Sequence, residues 1–258
     1  MPRLAANLSL LFPEVDLLGR FPRTAAVGFA GAEIQHPYDE ASARIARAFQ
    51  QHELEAVLFN TPTAVGALPG REAEFEAGIT RALEYCAAAG CGQIHCMAGV
   101  ADGDAAEDTF VTNLKRASAP ARAAGVRLLI EPLNIPDNPG YFLHRTTQAR
   151  RIIERVGEDN VGLQYDLYHV QIMEGRLAET IEANLDVIRH VQIAGVPGRH
   201  EPDADQEVQY PFLLDRLDAL GYGGWVGCEY RPRGETRAGL AWAAAYGIDL
   251  TDAADPGH

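Results

Sequence analysis

One octapeptide limits what this chain can become: Arg127-Leu-Leu-Ile-Glu-Pro-Leu-Asn134. Residues 127–130 read as a buried strand, and a carboxylate, Glu131, arrives at its end. Pro132 stops the strand at once, because proline has no N–H to give to a sheet. Glu131 is therefore expected at a strand tip, facing whatever lies beyond it. The plan recurs downstream. Val161-Gly-Leu-Gln-Tyr-Asp166 ends in a carboxylate, Ile188-Arg-His-Val-Gln192 in an amide, and Trp225-Val-Gly-Cys-Glu229 in a carboxylate. Four successive strands that each deliver an oxygen donor form a constellation.

The rest of the chain supplies the frame. Strands are expected over residues 4–10, 28–34, 55–60 and 93–97. Helices are expected over 16–26, interrupted near Pro22, and over 39–52 and 72–90. A further helix over 108–125 carries Pro120 as a kink, and one over 144–156 has Thr146 or Thr147 as its N-cap. Shorter helices follow at 177–184, 211–220 and 235–246. Strand and helix alternate eight times, which predicts a parallel sheet. At this length the sheet closes, giving a single (β/α)8 TIM barrel of the α/β class over residues 1–250 and a C-terminal tail over 251–258. No glycine fingerprint follows the first strand, which weighs against an open dinucleotide-binding sheet. In such barrels the reacting groups sit where the strands end.

Composition bounds the partners. A chain of 258 residues that is 47% hydrophobic can bury a large core. A net charge of -14 repels phosphates and argues against nucleic acid and anionic membranes. Cys86, Cys91, Cys96 and Cys228 show no C-x-x-C spacing and read as small buried hydrophobes in a reducing compartment. The N-terminal segment makes a poor signal peptide, and no apolar run is long enough to span a bilayer. A cytoplasmic protein acting on a small molecule is the expectation.

Glu131, Asp166, Gln192 and Glu229 come from neighbouring staves about 45° apart around the axis. Three converging carboxylates repel one another and resist ionising, a conflict that a divalent cation removes. All-oxygen donors favour Mg2+ or Mn2+ over Zn2+. Taken singly, each could be a strand-end polar group facing water. His169 follows Asp166 by one turn and can reach the same place. Arg199 and Glu201 lie in the loop after the seventh strand, where an arginine can grip an anionic group by a bidentate pair. Asn7, Asn60 and His95 end earlier strands and line the other half of the rim, where each could also serve only the backbone.

The motifs Ile130-Glu-Pro-Leu-Asn134, Gln164-Tyr-Asp-Leu-Tyr-His169, His190-Val-Gln-Ile-Ala194 and Gly224-Trp-Val-Gly-Cys-Glu-Tyr230 resemble the hydroxypyruvate isomerase family, among the xylose-isomerase-like barrels. Residues 6–12, 68–75 and 197–202 extend the likeness from the first strand to the last helix. The resemblance implies one divalent metal held by Glu131, Asp166, Gln192 and Glu229, with Glu131 and Glu229 as the acid/base pair. Gln192 stands where related sugar epimerases often have histidine. The segment between Thr63 and Leu68 is shorter than in the hydroxypyruvate isomerase subgroup. The implied reaction interconverts hydroxypyruvate and 2-hydroxy-3-oxopropanoate (tartronate semialdehyde) through an enediolate. A 2-oxo-tetronate isomerase or a ketose 3-epimerase would use the same rim. A metal-dependent endonuclease fits the charge poorly and lacks a histidine-rich zinc set. A non-catalytic binding protein would not need complete strand-end donors. Barrels of this kind often associate, so a homo-oligomer is compatible with the sequence.

Overall fold

The computed structural model describes residues 2–251. Eight strands run in chain order: β1 (Arg3–Asn7), β2 (Gly31–Ile34), β3 (Glu55–Asn60), β4 (Gln93–His95), β5 (Arg127–Ile130), β6 (Val161–Asp166), β7 (Ile188–Ile193) and β8 (Trp225–Cys228). The helices are α1 (Leu17–Ala26), α2 (Ser42–Gln51), α3 (Glu72–Ala89), α4 (Gly103–Ala123), α5 (Thr146–Val156), α6 (Leu167–Met173), α7 (Leu177–Asn184), α8 (Tyr210–Ala219) and α9 (Thr236–Gly239). A 3-10 helix spans Leu240–Tyr246. All strand pairs are parallel, and β8 closes on β1 with Leu4 opposite Val226 and Ala6 opposite Cys228. The expected single barrel is the observed one.

Strands buried on both faces must be almost wholly apolar, which is why Leu128, Leu129 and Ile130 succeed one another without a polar break. Around them the helices bury one stripe each. In α2 that stripe is Ile45, Ala48 and Phe49; in α5 it is Ala149, Ile152, Ile153 and Val156. α3 stops at Gly90, whose φ of 74° is the left-handed conformation that ends helices. Ala5, Val57, Leu58, Leu129 and Trp225 fill the barrel interior below the polar layer. The four cysteines are buried and free. Among the described residues no helix is long and apolar enough to cross a membrane.

Several boundaries differ from expectation for identifiable reasons. α1 runs unbroken through Pro22, its start capped by Asp16, which accepts from Gly19 N at 2.8 Å. Burial of Phe21 and Thr24 against the barrel holds the turn that Pro22 leaves one hydrogen bond short. α4 begins at Gly103 rather than near 108, since its first turns offer only Ala106 to the core and show little periodicity. It runs through Pro120, as expected, and ends at Ala123, just short of 125. Neither Thr146 nor Thr147 caps α5; Arg145 holds that position without a side-chain bond. Instead Glu174, just beyond α6, accepts from Thr146 N at 2.7 Å and from its hydroxyl at 2.8 Å. The closing helix is split into α9 and the 3-10 segment. β1 stops at Asn7, where Leu10 N turns back to Asn7 O at 3.1 Å. The tail expected over 251–258 lies, beyond Thr251, outside the described residues.

Candidate active site

The four strand-end donors all lie at the carboxyl end of the barrel, but among the described residues the close cluster takes in Glu131 and Asp166 with His169, while Glu229 pairs with Arg199. Glu131 follows β5 directly, Asp166 is the last residue of β6, Gln192 is the last but one of β7, and Glu229 follows β8. Parallel register sets Asp166 beside Gln192 and Gln192 beside Gly227. All four side chains are buried.

Hydrogen bonds fix their orientation. Gln164, two residues before Asp166 and so on the same face of β6, donates from Nε2 to Glu131 Oε2 at 2.9 Å and to Gln192 Oε1 at 2.6 Å. Asp166 Oδ1 accepts from Tyr168 N at 2.9 Å and thereby caps α6. Its Oδ2 is left for Arg199 Nη2 at 3.5 Å and His169 Nε2 at 3.5 Å. Arg199 Nη2 lies 2.6 Å from Glu229 Oε1, which also accepts from Gln35 Nε2 at 2.6 Å. The guanidinium stands over the Tyr168 ring, 5.2 Å from its centroid.

Charge in this layer is unbalanced. Burial drives Glu131 well above the ordinary carboxylate range, and Glu229 and Asp166 push it further. Burial likewise raises Glu229 and Asp166, although Arg199 pulls both back. Burial alone would weaken Arg199 as a cation, but Glu229, Asp166 and Glu131 outweigh it and hold the guanidinium charged. His95 is pushed down to about 3, first by burial and then by His36 and His190, so it is neutral. His169 is likewise held neutral by burial, reinforced by Arg199.

The other expected residues divide. His169 joins the cluster, with Nε2 4.0 Å from Glu131 Oε1. His95 Nδ1 lies 3.4 Å from Glu131 Oε2. Asn7 is one layer removed: it donates to Glu33 Oε1 at 2.8 Å and accepts from Ser9 N at 3.0 Å. Asn60 directs its side-chain amide to Met97 Sδ at 3.9 Å, and its main-chain carbonyl accepts from the Tyr38 hydroxyl. Glu201 is not brought into the cluster. Its carboxylate turns to the loop after β8, accepting from Arg233 N at 3.0 Å. Gln35, Gln164, Glu33 and His190 also belong to the network; the sequence assigns none of them a role, although Gln164 and His190 open two of the motifs. Their signal is a polar residue inside an apolar strand, or two positions before a known donor on the same face.

The donor set suits a hard cation. Single atoms of Glu131, Asp166 and His169 lie within 4.8 Å of one another, and Glu131 Oε1 is buried without a hydrogen-bond partner. An orphaned carboxylate oxygen among acids that resist ionising is a place a divalent ion would satisfy. His169 fits a different task. Its Nδ1 lies 3.1 Å from Asn134 N and 2.7 Å from Asn134 Nδ2, both donors. Nδ1 must therefore accept, and the ring proton sits on Nε2, which faces the carboxylates as a donor rather than a ligand. Gln192 would serve an ion better than His169, because its Oε1 keeps a lone pair after accepting from Gln164.

Comparison with known proteins places the chain in a family. The pattern of xylose isomerase-like TIM barrels matches residues 21–246. The chain belongs to that family. Among curated relatives, this barrel is 46% identical to a 2-oxo-tetronate isomerase of Cupriavidus necator, covering 95% of the chain and 99% of the relative. It is 39% identical to the hydroxypyruvate isomerase of Escherichia coli, covering 95% of the chain and 100% of the relative. A crystal structure described as an AP endonuclease, family 2, from Brucella melitensis superposes with a TM-score of 0.93 at 46% identity, over 95% of this chain and 99% of that one. An Escherichia coli 3-keto-D-glucoside 4-epimerase gives a TM-score of 0.81 at 23% identity, over 95% and 100%, a likeness of fold alone.

Proposed function

We propose that this family member is an isomerase of small 2-oxo acids bearing a neighbouring hydroxyl, with hydroxypyruvate and 2-hydroxy-3-oxopropanoate as the interconverted pair. One observation carries the choice of an acid over a neutral sugar. Arg199 is partly buried among carboxylates, and its Nε–H has no partner. A free guanidinium donor inside an acidic site is a seat for a substrate carboxylate.

Glu131 and Glu229 come from staves on either side of Asp166 and Gln192, so a substrate between them meets one carboxyl group on each flank. In the forward direction one carboxylate takes the proton from the hydroxyl-bearing carbon, leaving an enediolate. The other returns a proton to the former carbonyl carbon, and the hydroxyl proton passes from one oxygen to its neighbour, so the atoms balance. At each turnover one of the two must be ionised to act as base while the other carries the proton to be returned. The His169 Nε2–H and the Arg199 guanidinium bind substrate oxygens and hold the carbon frame still. Mg2+ or Mn2+ held by Glu131, Asp166, Gln192 and Glu229 would supply Lewis-acid stabilisation of the enediolate charge.

A 2-oxo-tetronate, one carbon longer, is the second substrate supported, because the relative from Cupriavidus necator carries that name. Both acids share the carboxylate and the proton chemistry. The test is incubation with Mg2+ and each acid in deuterated water, followed by proton NMR. Deuterium entering at the hydroxyl-bearing carbon, and its loss on adding EDTA, is expected for the true substrate. Exchange of a ketose with neither acid exchanging would overturn the proposal.

A further inference from the structure

We propose that Glu33, on β2 across the barrel from β7, is a positioning residue that fixes which end of the Gln192 amide faces the ion site. The inference rests on Gln192 being an ion ligand. An amide side chain has two ends of nearly equal shape, one accepting and one donating. Only the oxygen can serve a cation, so something must choose.

Glu33 is buried, and every contact of its carboxylate is with a donor. Oε1 accepts from Gln192 Nε2 at 2.8 Å and from Asn7 Nδ2 at 2.8 Å, while Oε2 lies 2.6 Å from His190 Nε2. His190 precedes Gln192 by two residues and shares its face of β7. On the other side of Gln192, Gln164 Nε2 presents a donor to Oε1 at 2.6 Å. Turning the amide over would set oxygen against the Glu33 carboxylate and NH2 against the Gln164 NH2. Both clashes oppose the flip, and the carboxylate, which cannot reverse its own role, is the stronger arbiter.

The barrel is shaped to let Glu33 reach so far. Gly227 of β8 lies next to Gln192 in register, and a Cβ there would stand 2.5 Å from Glu33 Oε2 and 2.6 Å from Oε1. Only glycine leaves the space that the carboxylate fills. Asn7, opposite Glu33 in register on β1, supplies the third side of the cradle. The line of contacts then runs from Glu33 through Gln192 and Gln164 to Glu131, so an orientation set on the second stave is passed to the reacting acid on the fifth.

The test is Mn2+ binding measured by calorimetry on the whole chain, with folding checked by circular dichroism. Glu33→Leu is expected to weaken Mn2+ binding by about 10- to 100-fold, the usual cost of removing an outer partner of a ligand. Glu33→Gln is expected to restore most of the affinity, since its amide oxygen can accept from Asn7 and Gln192 while its NH2 turns to a retautomerised His190. In a Gln192→Ala background, Glu33→Leu is expected to add nothing. Wild-type affinity in Glu33→Leu, or the same loss with Gln192 already removed, would overturn the inference. If Glu33→Leu does not fold, Gly227→Ala decides instead: its methyl must displace the carboxylate, and unchanged Mn2+ affinity there would equally overturn it. A wild-type chain that binds no Mn2+ would remove the ion site itself, which is a different failure from intact binding with indifferent variants.

Discussion

Two arginine–glutamate pairs sit at opposite ends of the barrel and show how differently the same chemistry is used. At the amino-terminal end, Arg3 lies 2.9 Å from Glu55, with both side chains about half exposed at 53% and 54%. The same guanidinium covers the Trp225 ring at 3.7 Å, and Trp225 Nε1 donates to Glu55 at 3.0 Å. One cation meets one anion, and water screens the rest. At the carboxyl end, Arg199 lies 2.6 Å from Glu229 with side-chain exposures of 18% and 5%. There one cation faces Glu229, Asp166 and Glu131 together. The lower pair closes a barrel. The upper one sets three acids against one cation in a water-poor layer where they resist ionising, an arrangement that costs stability and fits a site suited to a cation and an anionic substrate.

The largest effect should come from the acids themselves. Glu131→Gln and Glu229→Gln should each fold as wild type by circular dichroism and lose about 10²- to 10⁴-fold in kcat, the range for removing a positioned acid or base. Wild-type turnover in either would erase the functional contrast between the two ends. Next, Arg199→Ala should raise KM for hydroxypyruvate by about 10- to 100-fold, as expected for a lost charged hydrogen bond. KM for a neutral ketose should move much less, and equal rises would detach Arg199 from carboxylate recognition.

The third effect concerns pH. Glu131, Glu229 and Asp166 hold their protons more tightly folded than unfolded, so the native state binds more protons. Their contribution to stability is complete below the unfolded value of about 4 and is lost as pH rises through neutrality. In EDTA, Tm should therefore fall over that window, and Mg2+ should recover more of it at the upper end. A flat metal-free profile in differential scanning fluorimetry would mean that the acids share no uncompensated layer. Smallest of all, Arg3→Ala should cost at most about 1 kcal/mol in urea denaturation and leave kcat unchanged.

Much of the site was legible because strand tips in a parallel barrel announce themselves. Glu131 stands before a proline, and Asp166 and Glu229 end apolar runs. Glu33 was hidden because it lies inside a strand of four residues whose start was misplaced by the preceding glycine turn. α6 was missed for a related reason. Asp166 both ends β6 and caps the helix, and its seven residues, buried from Leu167 to Val170, show too little apolar spacing to announce a helix. Glu201 misled through nearness in sequence to Arg199. Arg199 adopts a φ of 57°, and Gly195 N binds back to His200 O at 2.7 Å. The loop folds over, sending the Arg199 side chain into the barrel mouth and burying the Glu201 carboxylate against the loop after β8. Side-chain direction after such a turn is a tertiary fact that residue order does not carry.

The chain begins and finishes its described course on the same side. Arg3 opens β1 at the amino-terminal face, and Asp249 N returns to Val27 O at 3.0 Å, where α1 hands over to β2. A bead, electrode or fused module tethered at either place would hang from the floor of the barrel and leave the mouth around Glu131 and Glu229 open to diffusing molecules.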